Sequence, residues 1–100
     1  MLQSELKGNI LEIKIEGRVD SSNAADIGAQ LDEIGKANPH ESLVIDAEKL
    51  SYISSAGLRL IMKLQKSEKE KINIKNASTE IFEIFKMTGF NSVVNVTTAE

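Results

Sequence analysis

Apolar and polar positions alternate from the start of the chain. Leu2 and Leu6 fall in phase, Lys7-Gly8-Asn9 supplies turn chemistry, and Leu11, Ile13 and Ile15 then alternate with Glu12, Lys14 and Glu16. A period of two is that of a half-buried strand, so the pattern predicts a β-hairpin with one wet face. Gly17 closes the strand and Val19 is still extended. Asp20, Ser21, Ser22 and Asn23 each carry a side-chain oxygen suited to capping a helix start. Ala24, Ile27, Leu31 and Ile34 recur at spacings of three and four, the stripe of a helix that Asn38-Pro39 ends. Gly28 inside it costs about 1 kcal/mol relative to alanine, which close packing against a neighbour would explain.

The continuous apolar run Leu43-Val44-Ile45 predicts a central strand covered on both faces, ending at Asp46. A link from Ala47 to Ile53 leads to a second helix that opens at Ser54, carries Leu58, Ile61, Met62 and Leu64 on its apolar side, and runs to the neighbourhood of Lys69. Ile72 and Ile74 alternate with Asn73 and Lys75 as a further strand. Ser78 can cap a third helix with Glu80 in its first turn and Ile81, Ile84 and Phe85 as its buried stripe. Gly89 stands where a left-handed C-cap is needed, with Phe90 placed to pack back. Val93, Val94 and Val96 read as a last strand and Thr97 to Glu100 as a frayed tail. The order β-β-α-β-α-β-α-β predicts one α/β domain over residues 1–100. Its sheet is mixed and mostly parallel, of about five strands, with three main helices and right-handed crossovers.

Composition narrows the function classes. A 100-residue chain with 41% apolar and 27% charged residues is an ordinary globular domain with one core. It buries roughly two-thirds of the surface its unfolded form exposes, which leaves little room for a deep substrate cavity and favours binding over catalysis. The absence of cysteine excludes disulfides, thiolate metal sites and thiol nucleophiles. A net charge of −3 with no tryptophan argues against nucleic acid. The lysines between Lys63 and Lys71, interleaved with Glu68 and Glu70, read as a solvated helix end. No apolar run approaches the roughly 18 residues of a membrane span, and no segment reads as a signal peptide, so no membrane insertion and a cytoplasmic location are expected.

Chemistry concentrates at Tyr52-Ile53-Ser54-Ser55-Ala56-Gly57-Leu58-Arg59, where two hydroxyls stand at a helix start. One reading is structural: a serine N-cap and a glycine that permits close packing. The other makes one serine a phosphoacceptor, where about −1.5 to −2 charges would be added at a helix end that tolerates anions. A hydrolase is disfavoured, because the nucleophile elbow needs a second glycine and the sole histidine, His40, follows Pro39 in a polar turn expected to face solvent. Asp20 and Asp46 read as cap and strand-end residues rather than a Mg²⁺ pair, and no phosphate-binding glycine motif occurs. No metal, cofactor or catalytic residue is expected.

Three separated pieces resemble the STAS family of sulphate-transporter and anti-sigma-factor-antagonist domains, in particular its free-standing bacterial antagonists. They are Gly17-Arg18-Val19-Asp20; Asp46 with Leu50-Ser51-Tyr52-Ile53-Ser54-Ser55-Ala56-Gly57-Leu58; and Ile84-Phe85-Lys86-Met87-Thr88-Gly89-Phe90. The resemblance implies a partner-switching protein that, unphosphorylated, binds an anti-sigma factor serine/threonine kinase and frees the sigma factor. It implies that this kinase phosphorylates Ser55, with Ser54 as the alternative acceptor, and that a PP2C-type phosphatase reverses the step. Asp20, Ser54, Ser55, Ala56, Gly57 and Arg59 are the partner-facing residues on this reading. Ser54 departs from the family, which often has Asp there. The alternative is an unphosphorylated STAS subunit of a transporter or scaffold complex.

Overall fold

A computed structural model of the chain describes residues 2–99. The alternation at the start becomes a hairpin. Strands β1 (Leu2–Lys7) and β2 (Ile10–Ile15) run antiparallel, with Lys7 opposite Ile10 across the two-residue turn Gly8-Asn9. Gly8 holds φ at +64°, a value that the favoured two-residue hairpin turns require and that glycine adopts without a steric penalty. Then follow β3 (Gly17–Val19), α1 (Ala24–Ala37), β4 (Ser42–Asp46), β5 (Leu50–Ile53), α2 (Ser55–Lys66), β6 (Asn73–Ala77), α3 (Thr79–Met87), a 3-10 turn (Phe90–Ser92) and β7 (Asn95–Thr98).

Five strands form one mixed sheet in the order β1-β2-β4-β6-β7, antiparallel only between β1 and β2, while β3 and β5 make a separate parallel pair. The three helices supply one apolar layer. Ile27 and Leu31 of α1, Leu58 and Ile61 of α2, and Ile81 and Phe85 of α3 are buried in one cluster with Leu11, Ile13, Ile15, Leu43, Ile45 and Ile74 of the sheet. Ser78 caps α3 by accepting from the Ile81 amide at 3.2 Å, and Gly89 beyond it takes φ +79°, as its place after the helix requires.

Several expectations are corrected. Leu43-Val44-Ile45 is the middle strand, but its Val44 side stays half-exposed beside Glu12 and Asn73, so one sheet face is open. The link before Ser54 contains a strand, β5, whose partner β3 lies 33 residues earlier at Gly17↔Leu50. Helix α2 ends at Lys66, where Ser67 caps it and the turn to β6 begins. Val93 and Val94 precede β7; Val94 is fully buried below the 3-10 turn. Thr97 and Thr98 belong to β7 rather than to a frayed tail, and Glu100 lies outside the described residues.

Candidate functional site

Two parallel strand ends bring the candidate residues to one end of the molecule. Val19 of β3 lies opposite Ile53 of β5, and the Ser54 amide donates to the Val19 carbonyl at 2.9 Å. Asp20 and Ser54 are thus the first residues beyond two aligned strands, and Ser55 begins α2. Ser54 is extended and acts as N-cap. Its carbonyl accepts from the Leu58 amide at 2.9 Å, and its hydroxyl oxygen accepts from the Gly57 amide at a long 3.4 Å. The amides of Ser55 and Ala56 precede the first intrahelical bond and have no hydrogen-bond partner among the described residues. Ser55 is exposed, while Ser54 and Ala56 are half-buried.

Gly57 fixes how α2 meets the strand pair. A Cβ there would stand 2.6 Å from Ile53 Cγ1 and 2.9 Å from Val19 Cγ1, so the first turn rests directly on β3 and β5. Arg59 is exposed one turn after Ser55, on the same side of the helix.

Asp20 anchors the neighbouring loop. Its carboxylate accepts from the Ser22 hydroxyl and from the Ser22 amide at 2.9 Å, and Arg18 Nε lies 3.6 Å away. The Ser22 hydroxyl first, then the Ser22 amide and Arg18, hold the Asp20 pKa below the ordinary carboxylate value. Asn23, the residue before α1, turns its side chain back: its Oδ1 accepts from the Asp20 amide at 2.9 Å and its Nδ2 donates to the Arg18 carbonyl at 2.8 Å. The Arg18 guanidinium also lies 4.6 Å from the centre of the Tyr52 ring, close enough for a cation–π contact.

Asp46 has a different task. It is 5% exposed and accepts from the Glu48 amide at 3.0 Å and from Asn76 Nδ2 at 3.1 Å. Burial pushes its pKa up, but the Glu48 amide, Asn76, Lys14 and Lys75 outweigh burial and lower it. Asn76 holds φ +60°, a conformation asparagine tolerates better than most residues. Asp46 therefore ties β4 to a kink in β6. Among the described residues no cluster of three or more His, Asp or Glu could hold a metal ion.

His40 is not in solvent, as its turn setting suggested. Its side chain is 9% exposed, its Nδ1 lies 2.7 Å from the Asn38 carbonyl, and its Nε2 lies 3.0 Å from Glu68. Glu68 sits just past the C-terminal end of α2 and Ser55 at its start, so the imidazole and the hydroxyl are separated by about 18 Å, the length of a twelve-residue helix. Among the described residues no base is hydrogen-bonded to the Ser55 hydroxyl. The Arg18–Tyr52 contact was not foreseen from the sequence, because it depends on the β3–β5 register.

The family model described as "Mlab, STAS domain" matches residues 2–95. A curated relative, BtrV of Bordetella bronchiseptica, named as a candidate anti-sigma factor antagonist, is 30% identical over 89 residues, covering 82% of this chain and 72% of its own. Among solved structures, an anti-sigma factor antagonist from Mycobacterium paratuberculosis superposes with a TM-score of 0.83 at 15% identity, over 96% of this chain and 83% of that one. The antagonist SpoIIAA superposes in its unphosphorylated form with a TM-score of 0.78 at 18% identity, over 98% of this chain and 89% of that one. SpoIIAA from Bacillus in the phosphorylated form gives 0.69, again at 18% identity, over 98% and 92%. At such identities the structures establish the fold, while the family match spans nearly every residue. The chain belongs to the STAS domain family.

Proposed function

We propose that this chain is an anti-sigma factor antagonist, a binding module switched by phosphorylation of Ser55. Unphosphorylated, it docks on an anti-sigma factor serine/threonine kinase through Asp20, Ser54, Ser55, Ala56, Gly57 and Arg59, and the sigma factor is released in the cytoplasm. The kinase transfers the γ-phosphoryl group of ATP to the Ser55 hydroxyl, which gives up its proton. A PP2C-type phosphatase returns the serine by hydrolysis. The observation that carries this reading is the exposure of Ser55 at the start of α2, where its own amide and that of Ala56 have no hydrogen-bond partner among the described residues. A phosphate there is favoured by the helix end, so its charge changes the surface without unfolding the domain. The likeness to BtrV and to SpoIIAA, which is solved in both phosphorylated and unphosphorylated forms, supports it.

The test is site-resolved phosphopeptide mass spectrometry on protein from its native cells with phosphatases inhibited, followed by calorimetric titration of the co-purified kinase. Phosphate is expected on Ser55, with strong binding retained by Ser55→Ala and weakened at least tenfold by Ser55→Asp. Phosphate on Ser54 alone would move the acceptor by one residue. No phosphate across growth and stress conditions would overturn the switch. The second reading, an unphosphorylated STAS subunit of a transporter or scaffold, would then stand.

A further inference from the structure

We propose that the free edge of β1 is a self-pairing surface, through which two copies of the chain join antiparallel about Ser4 and continue the sheet from one molecule into the other. The sheet order ends at β1, and no strand lies on its outer side among the described residues. This edge lacks proline over its six residues, one of the usual means of blocking strand addition.

The hairpin decides which backbone groups face outward. Across a two-residue turn the flanking pair, here Lys7 and Ile10, exchanges backbone hydrogen bonds. Lys7, Glu5 and Gln3 therefore direct their N–H and C=O groups to β2, and Leu6, Ser4 and Leu2 direct theirs away from it. The next residue along the chain agrees with this phase: the Asn9 carbonyl, one position before Ile10, points to the β4 side and accepts from the Glu41 amide at 2.8 Å.

A register centred on Ser4 uses every outward group. It sets Leu2 opposite the second copy's Leu6, Ser4 opposite Ser4, and Leu6 opposite Leu2, and each of these pairs exchanges two backbone bonds. Centring on Leu6 instead would carry Leu2 past the turn and leave it unpaired. The side chains fit the same register. Leu2, Ser4 and Leu6 share the face of Ile15, Ile13 and Leu11, their partners across the hairpin. Leu6 is 41% exposed there and Leu2 half-buried, so pairing covers the exposed leucine of each copy with the leucine of the other. On the opposite face Gln3 meets Glu5, an amide against a carboxylate, with no like charges opposed. Lys7 stays beside Glu12 of its own chain, at 3.9 Å. The other sheet edge, β7, is four residues long and exposes Asn95 and Thr97 instead.

The two-fold axis of such a pair is normal to the sheet. Both helix layers lie on one side, and the two Ser55 ends point in opposite directions, free for partners. The dimer offers two copies of the candidate docking face.

Sedimentation velocity over a hundredfold range of protein concentration tests the proposal. Wild type is expected to pass from monomer to dimer. Ser4→Pro is expected to stay monomeric with unchanged thermal melting, because the amide it removes points away from β2. Ser4→Cys introduces the chain's single cysteine, on the axis. It is expected to be cross-linked to itself by a short bis-maleimide, since directly opposed residues of a hydrogen-bonded pair stand about 5.5 Å apart at Cα, within the span of such a reagent. Ser92→Cys, exposed and remote from β1, should not be. Should Ser4→Pro melt early, the cross-link and a monomeric Leu6→Lys variant decide the matter. A wild type that stays monomeric throughout overturns the proposal, as does a dimer that Ser4→Cys fails to cross-link.

Discussion

At the scale of single residues, two glycines inside helices make different demands. A Cβ at Gly57 would press on Ile53 Cγ1 at 2.6 Å and Val19 Cγ1 at 2.9 Å; both belong to buried β-branched side chains, whose stiff χ1 leaves little room to yield. A Cβ at Gly28 would meet Leu60 Cδ1 at 2.8 Å, the far end of a half-exposed side chain that can move. Helix propensity favours alanine at both sites by about 1 kcal/mol, and overpacking costs about 1–3 kcal/mol where nothing can yield. Gly57→Ala is therefore expected to lower stability by up to about 2 kcal/mol, and Gly28→Ala to stay within about 0.5 kcal/mol of wild type or exceed it, in urea denaturation followed by circular dichroism. Equal losses at both sites would refute this account of α2's seating. The sequence indicated that both glycines permit close packing, but it could not name their contacts. Those of Gly57 depend on β5, and Leu50-Ser51-Tyr52-Ile53 buries only its first and last residues. It lacks the alternation by which strands are recognised.

At the scale of elements, the connections opposite the Ser55 end are fastened to each other. His40 in the α1–β4 connection bonds Glu68 in the α2–β6 connection, and two residues further on the Ser42 hydroxyl donates to Glu70 at 2.7 Å. Gln65 closes the second connection on itself, donating to the Glu70 carbonyl at 2.9 Å and accepting from the Ile72 amide at 2.8 Å. Both His40 nitrogens face acceptors, the Asn38 carbonyl and the Glu68 carboxylate, so the ring satisfies both only when doubly protonated. Burial lowers the His40 pKa, but the Asn38 carbonyl and Glu68 outweigh it and raise the pKa above its ordinary 6.5. Asp32, Lys36 and Lys69 line one cavity with His40 and Glu68; Lys36 is paired with Asp32 at 3.1 Å, and Glu68, 3.0 Å from Nε2, is the charge in contact with the ring. A raised histidine pKa contributes stability that is fully present below the unfolded value and is lost as pH rises through the folded one. Wild type should therefore lose stability relative to His40→Gln as pH climbs from 6 toward 8, in thermal melts across that range. A difference that grew with pH instead would mean that the ring is neutral in the folded protein. The helix stop at Asn38-Pro39 was visible in the sequence, but the partner of His40 lies 28 residues away, and no local pattern announces it.

At the scale of the whole molecule, the architecture is two layers, with the three helices on one side of the sheet and water on the other. The alternation of β2 encodes this: Leu11, Ile13 and Ile15 are buried, whereas Glu12 reaches Lys75 on β6 at 3.2 Å across the open face. Further along that face Asn95 Nδ2 donates to Asn73 Oδ1 at 3.2 Å. The run Leu43-Val44-Ile45 concealed the same alternation, because its open-face residue happens to be apolar. Val44 stands between Glu12 and Asn73 in the register, so its neighbours are those of a wet surface despite its own chemistry. The layer assignment makes adjacent residues of one strand respond in opposite ways. Val44→Thr keeps the branched shape and adds a hydroxyl that water can satisfy, so it should stay within about 0.5 kcal/mol of wild type. Ile45 is 1% exposed, and Ile45→Ala should cost about 2–5 kcal/mol through lost burial and the cavity left behind. Chemical denaturation of the two variants reads both numbers. A second layer over the open face would leave the threonine hydroxyl buried without a partner and cost about 1–3 kcal/mol, so a loss of that size at Val44 would mean that this face is covered in solution. Dimerisation through β1 leaves the expectation intact, because it extends the sheet sideways and covers neither face.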